Sequence, residues 1–264
     1  MILVKLGVFI ISIWAIGDLH LAFDTPEKEM GSLFPQWKEH ERHIANSWRR
    51  IVKDGDLVLI PGDISWSSNF EGATLDLKWI DTLPGEKVIL RGNHDYWWPS
   101  SQKLNEGLPP TIHFIHNSSF NWHDITIGGS RLWDTDEYSF DAFIELQHNP
   151  QGRVPTVDKA QQQKIFEREL QRLKLSLEQL SSKARIRIAM THYPPIGADL
   201  RDSRTSKILE EYQIDVCVFG HLHNITKTSP LFGLKNNTQY ILVSADYLNF
   251  TPTLITPSER RQSP

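Results

Sequence analysis

Five times along the chain an apolar run rich in β-branched residues ends in a short turn carrying polar side chains. The five are IISIWAIGDLH (10–20), DLVLIPGDIS (56–65), KVILRGNHD (87–95), IRIAMTHYPP (186–195) and VCVFGHLH (216–223). Runs this continuous do not suit a sheet with one wet face. They predict strands buried on both faces, so that helices or a second sheet must cover each side. A strand is expected over about Val8–Ile16, reaching straight into Asp18-Leu19-His20.

Helical periodicity lies between these runs. It predicts helices over Trp37–Val52, Gly72–Leu83, Val157–Ala184 and Arg201–Tyr212. In the third, Phe166, Leu170, Leu173, Leu177 and Leu180 recur at alternating spacings of four and three, the one-sided stripe of a helix packed on a sheet. Alternation of the two patterns predicts an α/β fold with helices outside the sheet. The stretches 111–130 and 239–256 break the alternation and are expected to add antiparallel strands or a second sheet. Residues 133–157, rich in Asp, Gly, Pro and aromatics, are expected to be an insertion or lid within a single domain spanning 1–264.

In open α/β sheets, ligands bind beyond the carboxyl ends of the strands. All five polar turns occupy that place, so in one fold they converge. The convergent set is Asp18, His20, Asp63, Asn93, His94, Asp95, His192, His221 and His223. Imidazoles mixed with carboxylate and amide oxygens suit borderline divalent metals: manganese first, with iron or zinc as alternatives. The set is too large for one four-coordinate ion, but two ions about 3.5–4 Å apart and bridged by a carboxylate would use it. Asp63 stands alone in its turn and is the bridging candidate.

The ordered series GDLH (17–20), GD (62–63), GNHD (92–95), TH (191–192) and GHLH (220–223) resembles the calcineurin-like metallophosphoesterase superfamily, over roughly residues 13–224. The resemblance implies a two-layer β-sandwich flanked by helices with a two-metal centre at the strand ends. It assigns Asp18, His20 and His223 to one metal, Asn93, His192 and His221 to the other, and Asp63 to the bridge. His94, oriented by Asp95, would sit outside the metal shell and protonate the leaving group after in-line attack by a bridging hydroxide. The Ser/Thr protein phosphatase branch is disfavoured: PGDISWSS lacks its Asp-Arg-Gly, and Asp95 stands where that branch has Glu. The motifs look more like the bacterial phosphohydrolase and phosphodiesterase branches. DLHL (18–21) also resembles lipid A pathway pyrophosphatases that cleave a UDP-linked acylated sugar, although some relatives of that kind carry Arg where this chain has His94. A non-catalytic scaffold retaining the fold would be expected to lose ligands, and none is missing.

Arg91 and Arg131 are candidates for gripping phosphate oxygens, and Trp97, Trp133 and Tyr193 for lining the substrate pocket. The formal net charge is -4 without a long basic block, so the electrostatic footprint of a dedicated nucleic-acid binder is missing and a small-molecule phosphoester is the expected partner. The single cysteine, Cys217, fits a reducing, cytoplasmic compartment. The apolar start, MILVKLGVFIISIWAIG, leaves peripheral membrane contact open; oligomeric state is not readable.

Overall fold

The structure, a computed structural model, describes residues 4–6, 9–144, 158–226 and 231–256, with the side chains of 4–6, 9 and 10 left aside. Two sheets lie face to face. The first has the order β13(Thr253–Leu254), β3(Ile13–Ala15), β4(Leu57–Ile60), β5(Glu86–Leu90), β6(Ile112–Ile115). Its strands β3 to β6 run parallel, and β13 pairs antiparallel at the edge. The second has the order β11(Gly233–Lys235), β12(Thr238–Leu242), β10(Val216–Phe219), β9(Ile186–Thr191), β8(Ile125–Ser130), β7(Phe120–Trp122). Here β8, β9, β10 and β12 are parallel, with antiparallel strands at both edges.

The two-residue period of a strand divides each apolar run between two cores. Leu57 and Leu59 of β4 point into the space between the sheets, meeting Ile127, Ile188 and Val218 of the second sheet. Val58 and Ile60 point the other way, onto α1(His40–Ile51) and α2(Phe70–Asp81) through Ile44, Trp48, Leu77 and Ile80. The second sheet does the same: Ala189, Cys217 and Phe219 face α4(Lys159–Leu177) and α5(Arg204–Glu211). Burial holds the Cys217 thiol up at about 12, an inert core position. The α4 stripe buries Phe166, Leu170, Leu173 and Leu177 against that face.

One expectation is corrected. The apolar start is not one strand: β1(Val4–Leu6) and β2(Phe9–Ile11) form an antiparallel pair, and the chain joins the main sheet only at β3. The break falls at Ser12, whose N–H donates to Asp56 Oδ1 at 2.9 Å while Asp56 Oδ2 also receives Trp14 Nε1 and the Lys53 N–H. As expected, the 239–256 region adds an antiparallel edge strand, β13, to the first sheet and contributes β12 to the second, where it runs parallel to β10. A short helix, α3(Ser101–Gly107), capped by Ser100, had no periodic signal long enough to show. Residues 133–144 of the expected insertion contain neither helix nor strand and return to the body through an Ile144–Ile225 bridge; 145–157 lie outside the described residues.

Lys87 is a buried cation on the helix-facing side of β5, fully enclosed, its Nζ donating to the Leu83 carbonyl just past α2 and to Thr111 Oγ1. Burial lowers its pKa from 10.5 to about 8. Between those values the unfolded chain binds the extra proton and the folded chain does not, so this group makes stability rise as pH rises from about 8 to 10.5. Lys87→Met is expected to remove that slope: thermal melts across this window should show the wild type gaining on the variant as pH increases.

Candidate metal centre

The carboxyl ends of both sheets meet at one rim, and the five polar turns interlock there. Asp18 N–H donates to the Gly62 carbonyl, His20 N–H to the Asp63 carbonyl and Gly220 N–H to the His192 carbonyl. The turns nest at glycines because nothing larger fits. A Cβ on Gly92 would stand 2.1 Å from Asp63 Oδ1, and one on Gly220 2.2 Å from Asp18 Oδ2. Four of the polar residues, Asp18, His20, Asp63 and His221, take left-handed backbone conformations with φ of 55°, 46°, 52° and 73°. Such conformations cost about 1–3 kcal/mol each and persist where the surroundings over-determine them, which is typical of functional sites.

The side chains form two groups that share carboxylates. Asp18, His20 and His223 gather on one side: His20 Nε2 is 3.3 Å from His223 Nε2, and His223 Nε2 is 3.7 Å from Asp18 Oδ1. On the other side, Asp18, Asp63 and His192 form the second carboxylate–imidazole group. Asn93 Oδ1 joins it at 2.6 Å from His192 Nε2 and 3.0 Å from His221 Nδ1. Asp63 Oδ2 faces both groups, 3.5 Å from His192 Nε2 and 3.8 Å from His20 Nε2, while its Oδ1 accepts the His94 N–H. All seven expected ligands are therefore brought together.

The donor set fits cations. His192 Nδ1 lies 3.0 Å from the Pro61 carbonyl, which takes the ring proton and leaves the Nε2 lone pair facing Asn93 Oδ1 and Asp63. Lone pairs converging with no proton between them repel unless a cation sits among them. Burial drives the same way. It raises Asp18 to about 7, with the Asp63 charge adding to the rise, and raises Asp63. It lowers His192 to about 3 and pulls His20 and His221 well below the usual imidazole value, keeping them neutral and able to coordinate.

His94 has a partly exposed ring, with Nε2 4.0 Å from Asp63 Oδ2. Asp95 does not orient it. The Asp95 carboxylate is fully buried and accepts the N–H groups of Gly92, Ile64 and Ser65 together with Trp97 Nε1, so it ties the second and third turns together. His94 Nδ1 is buried without a protein partner, and the ring is held by packing on Trp66, centroids 4.5 Å apart. Trp66 also stacks on His20 at 4.9 Å, and Trp37 meets His20 and His223 edge-on. Trp97 is withdrawn from the pocket: it is buried between Phe70 and Trp98, its large apolar surface used in the core. Tyr193 packs on His221 at 3.9 Å and shares with Trp133 the wall of a groove of about 760 Å³ that begins at His221. Arg91 and Arg131 lie in a separate notch beside the turns.

One residue was missed in the sequence. Asp246 accepts from His223 Nδ1 at 2.9 Å through Oδ1 and from the Asn224 N–H through Oδ2. Burial opposes a charge on His223, but the Asp246 bond and the Asp18 carboxylate outweigh it and push its pKa up to about 9. With its Nδ1 proton directed to Asp246, His223 turns Nε2 toward Asp18 and His20. The signal was available: YILVSADY repeats the pattern of an apolar strand followed by a polar turn. Asp246→Asn is expected to weaken binding of a divalent ion at His223 by about 10–100-fold, the usual effect of removing a ligand's carboxylate partner. Titration calorimetry of Mn²⁺ with metal-stripped protein reads it.

The sequence model of calcineurin-like phosphoesterases matches residues 11–224. The chain belongs to that family. Curated relatives match over shorter stretches. The Gene 66 protein of Mycobacterium phage L5 is 37% identical over 82 residues, covering 31% of this chain and 39% of the phage protein. The uncharacterized protein MJ1445 of Methanocaldococcus jannaschii is 31% identical over 83 residues, covering 31% of this chain and 46% of the archaeal one. This chain thus aligns with less than half the length of either relative. Among solved structures, the phosphopantetheinyl hydrolase of Mycobacterium tuberculosis superposes over 96% of this chain and 98% of its own, with a TM-score of 0.55 and 14% identity, a likeness of fold.

Proposed function

We propose that this protein is a metal-dependent hydrolase of small-molecule phosphoesters. The observation that carries the reading is Asp63 Oδ2 facing two clusters of imidazoles and carboxylates, with the His94 ring beside it. Asp18, His20 and His223 would hold one divalent ion and Asn93, His192 and His221 the other, with Asp63 between; manganese suits this mixture best, then iron or zinc. Ions bound there supply charge neutralisation at the phosphoryl oxygens and activation of water.

The chain's own residues do the rest. His94 reaches the rim with Nε2 and can hand a proton to the departing alkoxide, and Trp66 fixes its ring. Tyr193 and Trp133 offer an apolar wall to the organic part of the ester, and residues 133–144 line that groove. The free thiol of Cys217, deep in the core, suits a reducing cytoplasm. A non-catalytic scaffold is disfavoured by the complete ligand set. The deciding experiment is metal analysis of the purified protein with hydrolysis of bis-p-nitrophenyl phosphate in added Mn²⁺. Bound metal and turnover are expected; neither metal nor turnover would overturn the proposal.

A further inference from the structure

Beside the metal centre lies a notch with more positive charge than its neighbours neutralise. It is lined by Arg91, His116, Arg131, Glu169 and Arg172, where β5, β6 and β8 end against α4. The Glu169 side chain is 2% exposed, and its Oε1 lies 2.9 Å from Arg172, 3.3 Å from Arg168 and 3.6 Å from Arg131. Arg91 adds another guanidinium, giving its Nε to the Asp95 carbonyl at 3.2 Å. Three guanidinium groups thus pair with the one Glu169 carboxylate, and Arg91 brings a further one into the notch without pairing to it.

A single ion pair would suffice to satisfy Glu169. The surplus is costly: burial and the nearby charges of Arg91 and Arg168 weigh against the positive charge of Arg131, with Glu169 supporting it. Arg131 has little access to water, its side chain being only 15% exposed. Its guanidinium lies over the Trp133 ring at 4.7 Å, and its Nε is buried without a partner. Each guanidinium has five donors in a planar fork suited to carboxylate or phosphate oxygens, more than Glu169 can accept. Size narrows the anion. The open volume, about 30 Å³, is about one water's share of the liquid, so a ring is excluded and only the oxygens of a small anionic group can reach the guanidinium forks from the notch mouth. Location narrows it further. Arg91 directly precedes Gly92-Asn93, and the Arg131 carbonyl accepts the N–H groups of His192 and Tyr193 at 3.2 and 2.9 Å.

We propose that this notch is a second anion subsite, which holds a phosphate group of the substrate other than the one being cleaved; the substrate class is a small molecule carrying two phosphates. The assignment rests on the phosphoester hydrolase reading for its link to turnover, but anion binding can be measured without it. The probes are alkanediol bisphosphates of increasing spacer length and propyl phosphate, as inhibitors of Mn²⁺-dependent p-nitrophenyl phosphate hydrolysis. At the fitting spacer the bisphosphate is expected to inhibit at least about tenfold more tightly than propyl phosphate, the scale of one charge-assisted hydrogen bond. Arg172→Gln should reduce that ratio toward one. Equal inhibition by both compounds, or a ratio unchanged in the variant, overturns the subsite. Stimulation by free inorganic phosphate without any bisphosphate advantage also overturns it, since the notch would then serve an effector. Calorimetry of pyrophosphate with metal-stripped protein separates the two readings. Binding lost in Arg172→Gln supports the notch even where no hydrolysis is found. Hydrolysis without such binding leaves the enzyme and removes the subsite.

Discussion

Asp63→Ala is expected to abolish turnover, by roughly 10³-fold or more, because it removes the carboxylate that both ligand clusters face. The Oδ2 atom is the shared point, 3.5 Å from His192 on one side and 3.8 Å from His20 on the other. Losing it should cost metal as well as rate, and elemental analysis should show fewer ions per chain. The milder Asp63→Asn separates the site's cost from its use. In metal-free protein, burial raises the pKa of both Asp63 and Asp18, and the Asp63 charge adds to the rise at Asp18, so the empty centre is strained. Neutralising one should therefore leave the melting temperature of EDTA-treated protein equal or higher. The wild type, in contrast, should gain far more on adding Mn²⁺, since ligand binding to the folded state alone stabilises it. A wild type that is already the more stable without metal, and gains nothing with it, would contradict a metal centre built on Asp63.

How much of this was legible beforehand depends on range. The strands announced themselves because both faces are buried: Leu57 and Leu59 fill one core and Val58 and Ile60 another, which leaves an uninterrupted apolar run in the sequence. The ligands were legible for the same reason, as each sits directly behind such a run, and their convergence follows once the strands share a rim. What failed was local geometry set by tertiary partners. Asp95 reads as the natural neighbour of His94, yet three backbone N–H groups and Trp97 occupy it. Trp97 reads as a pocket aromatic because it adjoins the motif, but two residues past a turn the chain has already re-entered the core. Asp246 follows an apolar run like the others, so its place at the rim was readable, but its pairing with His223, 23 residues away, was not. The Arg91–Arg131–Arg172 notch joins three separate strand and helix positions, so only the folded chain shows that the charges coincide.

His94→Ala is expected to lower turnover by about 10²–10⁴-fold, the range for a lost general acid, while metal content stays near that of the wild type. The separation from Asp63 follows from position. His94 contributes its backbone N–H to Asp63 Oδ1, which alanine preserves, whereas its ring stands 4.0 Å away from Oδ2, against 3.5 Å for His192. Among the described residues, no carboxylate stands behind the ring. Its Nδ1 is unpartnered, and burial lowers its pKa, with Asp63 opposing that shift. It therefore works by placement against Trp66 more than by a fixed charge. A proton donor matters in proportion to how badly the leaving group needs the proton. The loss in His94→Ala should be largest for alkyl phosphates, whose alkoxide is a poor leaving group, and small for p-nitrophenyl esters, whose phenolate departs unaided. Equal losses on both substrates would show that His94 acts on phosphate binding, and metal loss matching that of Asp63→Ala would place it among the ligands.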